Sequence, residues 1–413
     1  MKVLVVHNQY RQRGGEDTAV DEETRMLQDG GVELRVIKVP NPPVESRSLA
    51  EGLHLVCNST WSRESYRRIF GVCLEYRPDV AHVHNFWMAL SPSVHKACHD
   101  AGVATVQTLH NYRLLCLNGL MLRDGKVCED CLNRVPWRGV VRKCYRESAG
   151  ASAAVAGMVT FHRVRNTWFH DIDIFLTPSE YSKSKLVLGR IPTDRIKVKP
   201  NVITNIAPPL APPSRSDQVI YVGRLSMEKG VSILLSAWAS IDPVTRGRLL
   251  IIGDGPDSSK LRSFAESLGL CEPEVVFTGA KPHGEVREVM SQCRILILPS
   301  ISHETFGNSV VEAFCAGRPV VVSDSGALAD IVENGRTGYK VPPGDPEALA
   351  ERMIALLNND TLADDLGLQA RTKYLSDYSI EQNFNTLMEA YRQAIDHNSP
   401  LETAKQRIFE IVW

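Results

Sequence analysis

The chain has 413 residues, too many for one ordinary hydrophobic core and a length that suits two domains. Hydrophobic residues make up 43% and charged residues 23%, the proportions of a globular protein in water, and the net charge of −1 removes the electrostatic basis for binding nucleic acid. The opening MKVLVVHNQYRQRGGED is not a signal peptide, because glycines and acids follow an apolar run of only about five residues. No apolar run approaches the roughly 20 residues that span a bilayer. The expectation is a cytoplasmic protein, with a peripheral position at the inner face of the cytoplasmic membrane left open.

Along the chain, strand and helix patterns alternate, the signature of an α/β protein with parallel sheets. In the first half KVLVVH (2–7), ELRVIKV, DVAHVH, ATVQTL and DIFLTPS read as buried strands with helical segments between most of them. The second half starts again with QVIYVGRL (218–225), RLLIIGDG (248–255), EVVFTG (274–279), RILILPS (294–300) and PVVVSD. Their short length and flanking glycines favour strand over buried helix. Between the halves, PNVITNIAPPLAPPSRSD (200–217) holds five prolines and reads as a stiff linker. The expected division is 1–200, a linker at 201–217, 218–378, and helices from 379 to 413.

In Rossmann-like domains ligands bind beyond the carboxyl ends of the strands, and chemistry-bearing residues stand there in this sequence. After KVLVVH, Gly14 and Gly15 open a helix, a pair that lets a phosphate approach backbone N–H groups with no Cβ in the way. His84 and Asn85 end the DVAHV strand as candidates for an acceptor pocket, and His110 ends ATVQTL. After QVIYV come Gly223, Arg224, Lys229 and Gly230. Gly253 and Gly255 form a Gly-x-Gly turn that lacks the third glycine of a dinucleotide fingerprint, Ser258 standing in its place. Lys281, in the loop after EVVFTG, is a plausible edge for a nucleobase.

The most specific stretch is HETFGNSVVEAFCAGRPVVVSDSGALADIV (303–332). Glu304 precedes a turn that includes Phe306, Gly307 and Asn308; a helix follows, and Glu312 lies about a turn and a half inside it. The helix N-terminus favours an anion. The flanking carboxylates accept bidentate hydrogen bonds from vicinal hydroxyls, as on a sugar and a ribose.

With RILILPS ahead and AGRPVVVSD behind, this stretch resembles the donor-site motif of retaining family 4 glycosyltransferases with the GT-B fold. The loop 223–230 is similar to that family's G-R-x-x-x-x-K-G. The resemblance covers nearly the whole chain and is strongest from 218 to 345. It implies two facing Rossmann-like domains across a deep interdomain cleft, an N-terminal acceptor domain, a C-terminal donor domain, and C-terminal helices that cross back. It implies retaining transfer of a hexose-type sugar from a nucleoside-diphosphate sugar to a hydroxyl of a saccharide or a polyprenyl-diphosphate-linked saccharide, as in bacterial cell-surface polysaccharide assembly. Arg224 and Lys229 would neutralise the leaving diphosphate, and His110 would lie near the transferred sugar. The family's retention is ascribed to front-face attack, with the donor's phosphate oxygen taking the acceptor proton. No DxD motif lies near these loops, and the Arg224–Lys229 pair with the helix N-terminus can replace a divalent ion, so metal-independent catalysis is expected. The rival readings are a GT-B sugar-nucleotide epimerase, for which no acid–base set is evident, and a catalytically silent nucleotide-sugar-binding protein.

Within 112–147, Cys116, Cys128, Cys131 and Cys144 read C-x11-C-x2-C-x12-C, a donor set that suits tetrahedral zinc in a structural site. Reduced thiols and disulfides are the alternatives, the latter disfavoured in a cytosolic setting. The pattern resembles that of a subset of family 4 sequences. Beside it, residues 134–165 carry seven basic side chains against one acid, Glu147, with Trp137, Phe161, Trp168 and Phe169 in or next to the segment. Basic and aromatic residues together suit an anionic lipid surface or a lipid-diphosphate acceptor; the bland reading is a solvated basic face over core aromatics.

Overall fold

A computed structural model describes residues 1–10, 14–41, 56–204 and 211–398, so part of the linker (205–210) and the tail 399–413 lie outside the described residues. The chain divides into two units. The first comprises Met1–Met121, Glu129–Val202 and the chain from Asn383; the second comprises Leu122–Cys128 and Ile203–Gln382.

The strands in chain order are β1 (Lys2–Gln9), β2 (Glu33–Pro40), β3 (Val80–Asn85), β4 (Ala104–Thr108), a short antiparallel hairpin of β5 (Leu122–Arg123) and β6 (Lys126–Val127), β7 (Ile174–Thr177) and β8 (Ile196–Val198). Six of them form a sheet in the order β2-β1-β3-β4-β7-β8, with every pairing parallel. Val3 to Val6 are at most 1% exposed, which is why β1 reads as a continuous apolar run: helices cover both faces of a parallel sheet. Burying each such side chain is worth about 1.5–3 kcal/mol. Serine oxygens begin three of this unit's helices by accepting a backbone N–H: Ser62 from Ser65, Ser148 from Ala151 and Ser179 from Ser182.

The second unit repeats the plan with β9 (Gln218–Val222), β10 (Arg248–Ile252), β11 (Val275–Gly279), β12 (Ile295–Leu298), β13 (Val320–Ser323) and β14 (Gly338–Val341). Their order is β11-β10-β9-β12-β13-β14, again all parallel. In each sheet the first strand of the unit has neighbours on both sides. The order therefore reverses beside β1 and beside β9, and the crevices beyond those strand ends are where ligands bind in such folds. The β1–β3 register slips between Val6 and His7, at the rim of that crevice.

Helix Ile380–His397 buries Leu387, Ala390, Tyr391 and Ala394, one stripe at helical spacing. From Asn383 on it belongs to the first unit. Tyr391 OH lies 2.8 Å from His82 Nδ1, His397 Nδ1 lies 2.8 Å from Asp173 Oδ1, and Phe384 covers Gly30 so closely that a Cβ there would sit 2.3 Å from the ring. The sequence pattern suggests further helices after it; only this one lies within the described residues.

Candidate functional site

In the second unit, three strand-end loops are stitched into one surface. The loop after β9 meets the Gly-x-Gly turn after β10: Gly223 N donates to Ile252 O, Leu225 N to Asp254 O and Asp257 N to Leu225 O, each at 3.0 Å. Only glycine allows this approach, because a Cβ on Gly253 would lie 1.8 Å from Gly223 O and one on Gly255 2.3 Å from Leu225 O. The same loop meets the chain after β12, where Ile301 N donates to Glu228 O at 2.9 Å.

This stitching brings Lys229 to Glu304. Lys229 Nζ and Ser300 Oγ each donate to Glu304 Oε1 at 2.6 Å. Burial alone would raise the Glu304 carboxyl; the Lys229 ammonium and the Ser300 hydroxyl outweigh it and hold the group ionised, below the usual carboxylate range. The turn beyond Glu304 is fixed by Phe306, buried against Tyr378, and by Gly307, whose φ of 126° suits glycine. Helix Asn308–Cys315 starts there. Glu312, 6% exposed, lies in its second turn with its carboxylate 3.8 Å from His283 Nδ1. Arg224 stands exposed, its backbone carbonyl pinned by Tyr221 OH at 2.9 Å. Lys281 is tied to Glu285 of its own following helix at 2.7 Å. One surface thus carries an ammonium, a guanidinium, two carboxylates and a helix N-terminus, a set suited to an anion flanked by polyols. Ser300 and His283 escaped the sequence reading; His283 opens the helix right after the Lys281 loop, which was its only signal.

In the first unit, helix Gly15–Asp29 follows β1, and Gly14 and Gly15 are exposed at its start. Asp17 braces the turn. Its carboxylate accepts from Gly14 N at 3.0 Å and Tyr10 N at 3.3 Å, and lies 2.9 Å from His7 Nε2. Glu16 accepts from Tyr10 OH at 2.9 Å; burial raises its carboxyl to about 7 against the opposing pull of His7, Tyr10 and Arg113. Asn85 braces its turn, its amide donating to Asn8 O at 2.8 Å and its oxygen accepting from Trp87 N at 2.9 Å.

His110 is half-buried at the end of β4, with Nε2 3.2 Å from His84 Nδ1. Behind it lies a network that no sequence motif announces. Glu23 is ion-paired to Lys199, and both His82 Nδ1 and His84 Nε2 lie 3.2 Å from Glu23 Oε1. Burial would raise the Glu23 carboxyl, yet the Lys199 ammonium beside it outweighs burial and the group lies well below its ordinary value. Burial lowers His82, His84 and His110, so all three are neutral imidazoles. Glu23, His82 and His84 bring their ligand atoms within 4.8 Å of one another. The Lys199 ammonium already supplies the cation that a metal would bring, so this cluster is an ion pair with two imidazoles.

The four cysteines of the 112–147 segment are unbridged thiols, Cys131 buried and the other three half-buried. Cys116 Sγ donates to Asn118 Oδ1 at 3.0 Å. In the basic segment Trp137, Val141 and Val164 are exposed, whereas Trp168 is buried against Phe86 and His95 and belongs to the core. Arg142 is ion-paired to Asp130, and Arg163 donates to the carbonyls of Arg134 and Leu114. Among the described residues no helix is long and apolar enough to cross a membrane.

Residues 3–202 match the glycosyl transferase 4-like domain, and residues 202–373 match the family Glycosyl transferases group 1. The two halves of the chain thus each resemble a glycosyltransferase domain family. Among relatives, it is 35% identical over 207 residues to a phosphatidyl-myo-inositol mannosyltransferase of Mycobacterium leprae, a match that covers 48% of this chain and about half (52%) of that one. It is 26% identical to the 2-deoxystreptamine glucosyltransferase of Streptomyces kanamyceticus over 83% of this chain and 84% of that one. Among solved structures, Anabaena HepE in complex with UDP and glucose superposes with a TM-score of 0.64 at 17% identity, covering 94% of this chain and 98% of that one. At that identity the likeness speaks to the fold, which is GT-B.

Proposed function

We propose that this chain transfers a hexose-type sugar, with retention, from a nucleoside-diphosphate sugar to a hydroxyl of a saccharide or lipid-linked saccharide. The observation that carries the reading is the Lys229–Glu304 pair at 2.6 Å, beside exposed Arg224 and the helix N-terminus at Asn308. In the reaction the bond from the anomeric carbon to the diphosphate oxygen breaks, and its electron pair leaves with the diphosphate. The acceptor oxygen forms the new bond on the same face, and its proton passes to the departing phosphate oxygen. Charge grows on that diphosphate as the bond breaks, so Lys229 and Arg224 act most strongly in the transition state. These two cations do the work of a divalent ion, and transfer should persist in EDTA. Glu304 is assigned to the sugar hydroxyls and Glu312 to the ribose. The likeness to a protein crystallised with UDP and glucose makes UDP-glucose the first donor to test. The relatives named above are transferases, which favours transfer over epimerisation or silent binding.

Glu312→Ala tests the donor site. Loss of a charged hydrogen bond costs roughly 1.5–3 kcal/mol, about a tenfold to hundredfold rise in the donor's Kd. A folded variant with wild-type donor affinity overturns the ribose assignment.

Two further readings attach to the first half of the chain. Cys116, Cys128, Cys131 and Cys144 are proposed to hold one structural zinc, on the strength of the four-thiolate donor set; a folded, zinc-free preparation by elemental analysis contradicts it. The exposed Trp137, Val141 and Val164 beside Arg138 and Arg146 are proposed to rest on an anionic membrane that carries a polyprenyl-diphosphate-linked acceptor. Replacing Arg138, Arg142 and Arg146 together should then reduce sedimentation with anionic vesicles at low salt.

A further inference from the structure

Past the ends of β1 and β4, four polar side chains of the first unit come together with their hydrogens already assigned. Asn111 Oδ1 accepts from Arg113 N at 3.0 Å, which only the oxygen can do. The amide nitrogen is therefore the atom that lies 3.4 Å from Tyr10 OH and 3.5 Å from Glu16 Oε2. Tyr10, kept a phenol by burial, donates to the same Oε2 at 2.9 Å. Two donors thus face one oxygen of the half-buried Glu16 carboxyl, and among the described residues none donates to the other, Oε1.

Arg113 stands close by in the complementary state. Its guanidinium carbon lies 5.1 Å from the centre of the Tyr145 ring and 6.0 Å from that of Trp87, and Trp87 Nε1 donates to Tyr145 OH at 3.2 Å. Packing on these rings, rather than an ion pair, holds the cation. Among the described residues its side chain makes one long hydrogen bond, to Leu117 O at 3.4 Å, although a guanidinium carries about five N–H donors. Its charge acts on Glu16 and Tyr10 without a bond to either. A carboxylate oxygen and a guanidinium near each other, both half-buried and unbonded, are each short of a partner. A pair of hydroxyls supplies both, an O–H for the carboxylate and an oxygen for the guanidinium. A phosphate offers Glu16 only like charge, and an ammonium offers Arg113 only like charge.

We infer that Glu16, Tyr10, Asn111 and Arg113 form a subsite for two vicinal hydroxyls of an uncharged saccharide, one hydroxyl donating to Glu16 Oε1 and its neighbour accepting from Arg113. That this saccharide is the acceptor of a sugar transfer rests on the function proposed above; the diol site itself stands on this unit alone. Glu16 also makes the site sensitive to pH. When it takes a proton, Tyr10 and Asn111 already face Oε2, so the proton sits on Oε1 and turns an acceptor into a donor. Burial sets that change at about 7, with Asp17 of the same helix adding to it and His7, Tyr10 and Arg113 opposing it. A hydroxyl that donates to Oε1 favours the ionised form, so binding should strengthen as the pH rises past 7. Glu16→Gln fixes the protonated polarity at every pH, because its amide oxygen must face Tyr10 and Asn111 and its NH2 group then replaces Oε1.

The first test needs no transfer activity. In full-length protein with carbon-13 in its glutamate carboxyls, the Glu16 signal is assigned by its absence from Glu16→Gln and titrated with and without methyl α-D-glucopyranoside at several hundred millimolar. The glucoside should lower the Glu16 midpoint by up to about one unit, the tenfold preference of one hydrogen bond to the charged form. Inorganic phosphate should not lower it. A midpoint that the glucoside leaves in place, or that phosphate alone lowers, overturns the diol site whether or not the protein transfers sugars. The second test is kinetic. Glu16→Gln and Arg113→Gln should each raise the KM for a saccharide acceptor by about tenfold, with a smaller change in kcat and none in the Kd of the donor. The wild-type kcat/KM for that acceptor should climb through pH 7, and the Glu16→Gln profile should be flat there. Losses in donor affinity, or a Glu16→Gln profile that still climbs, contradict the assignment.

Discussion

Each unit sets a lysine against a glutamate near the carboxyl ends of its strands, but the two pairs differ in access. Lys229 and Glu304 keep 24% and 14% of their side chains exposed, whereas Lys199 and Glu23 keep 2% and 5%. An accessible ammonium can turn from its carboxylate to an incoming phosphate, because water and the ligand together compensate the exchange. A sealed ammonium has no such alternative, and leaving either partner alone strands a charge in a medium that solvates it poorly. The first arrangement suits binding and release. The second suits holding neighbouring groups in one protonation state.

Breaking the sealed pair should have the largest effect. Lys199→Met leaves Glu23 buried without its cation and should destabilise the protein by about 3–5 kcal/mol, read as a lower midpoint in denaturant. Adding Glu23→Gln to that variant should restore much of the loss. A Lys199→Met protein as stable as wild type would mean that the pair is not sealed at all.

The accessible pair should respond in rate rather than in stability. Lys229→Ala should lower kcat by roughly 10²–10³, as removal of a single charge-stabilising donor does elsewhere. Arg224→Ala should move in the same direction. Both should change KM less than kcat, because the leaving diphosphate gains charge during reaction. Losses confined to KM would remove the leaving-group role, and a melting midpoint that falls with them would erase the contrast with Lys199.

The smallest expected effect is a pH dependence with opposite signs in the two units. Glu304 is held below its ordinary value, so its share of stability is present above pH 4.5 and fades as the pH drops below that. Glu16 is raised from 4.5 to about 7, so its share is present below pH 4.5 and is lost as the pH climbs through about 7. Glu16→Gln removes that loss and should stabilise the protein at pH 8 by on the order of 1–2 kcal/mol, less than the full shift implies because the side chain keeps some solvent contact. At pH 4 it should do nothing or slightly harm. A melting curve for Glu16→Gln that tracks wild type at every pH would contradict the raised value.

These contrasts explain what could be read from the chain alone. The parts of the second unit's candidate site could be picked out because they lie in short windows: Gly223 to Gly230 is one loop, and Glu304 to Glu312 is one turn and the start of one helix. The parallel strands were legible where the apolar run lasted five or six residues, as in KVLVVH. The edge strands β8 and β14 have three and four residues, too few to stand out from a loop. The first unit's network was not legible because its members come together only in three dimensions. Glu23 sits 176 residues from Lys199 in a helix segment that reads Glu-Glu-Thr-Arg, and looks like one more solvated charge. His82 and His84 alternate on a strand whose neighbours are valine and alanine, and only the sheet order reveals which face they share. Trp168 errs in the other direction: it sits beside a basic segment in sequence and in the core in space.

Helix Ile380–His397, part of the first unit from Asn383 on, bears on how the protein is made. The ribosome delivers residues 1–202 first and Tyr391 roughly 190 residues later, on the order of 10–40 seconds at ordinary elongation speeds. During that interval the earlier unit exists without the helix that covers Gly30 and reaches His82 and Asp173. The part of the protein synthesised first is therefore the last to be completed, and a nascent chain halted before Asn383 leaves the Glu23–His82 network open to water.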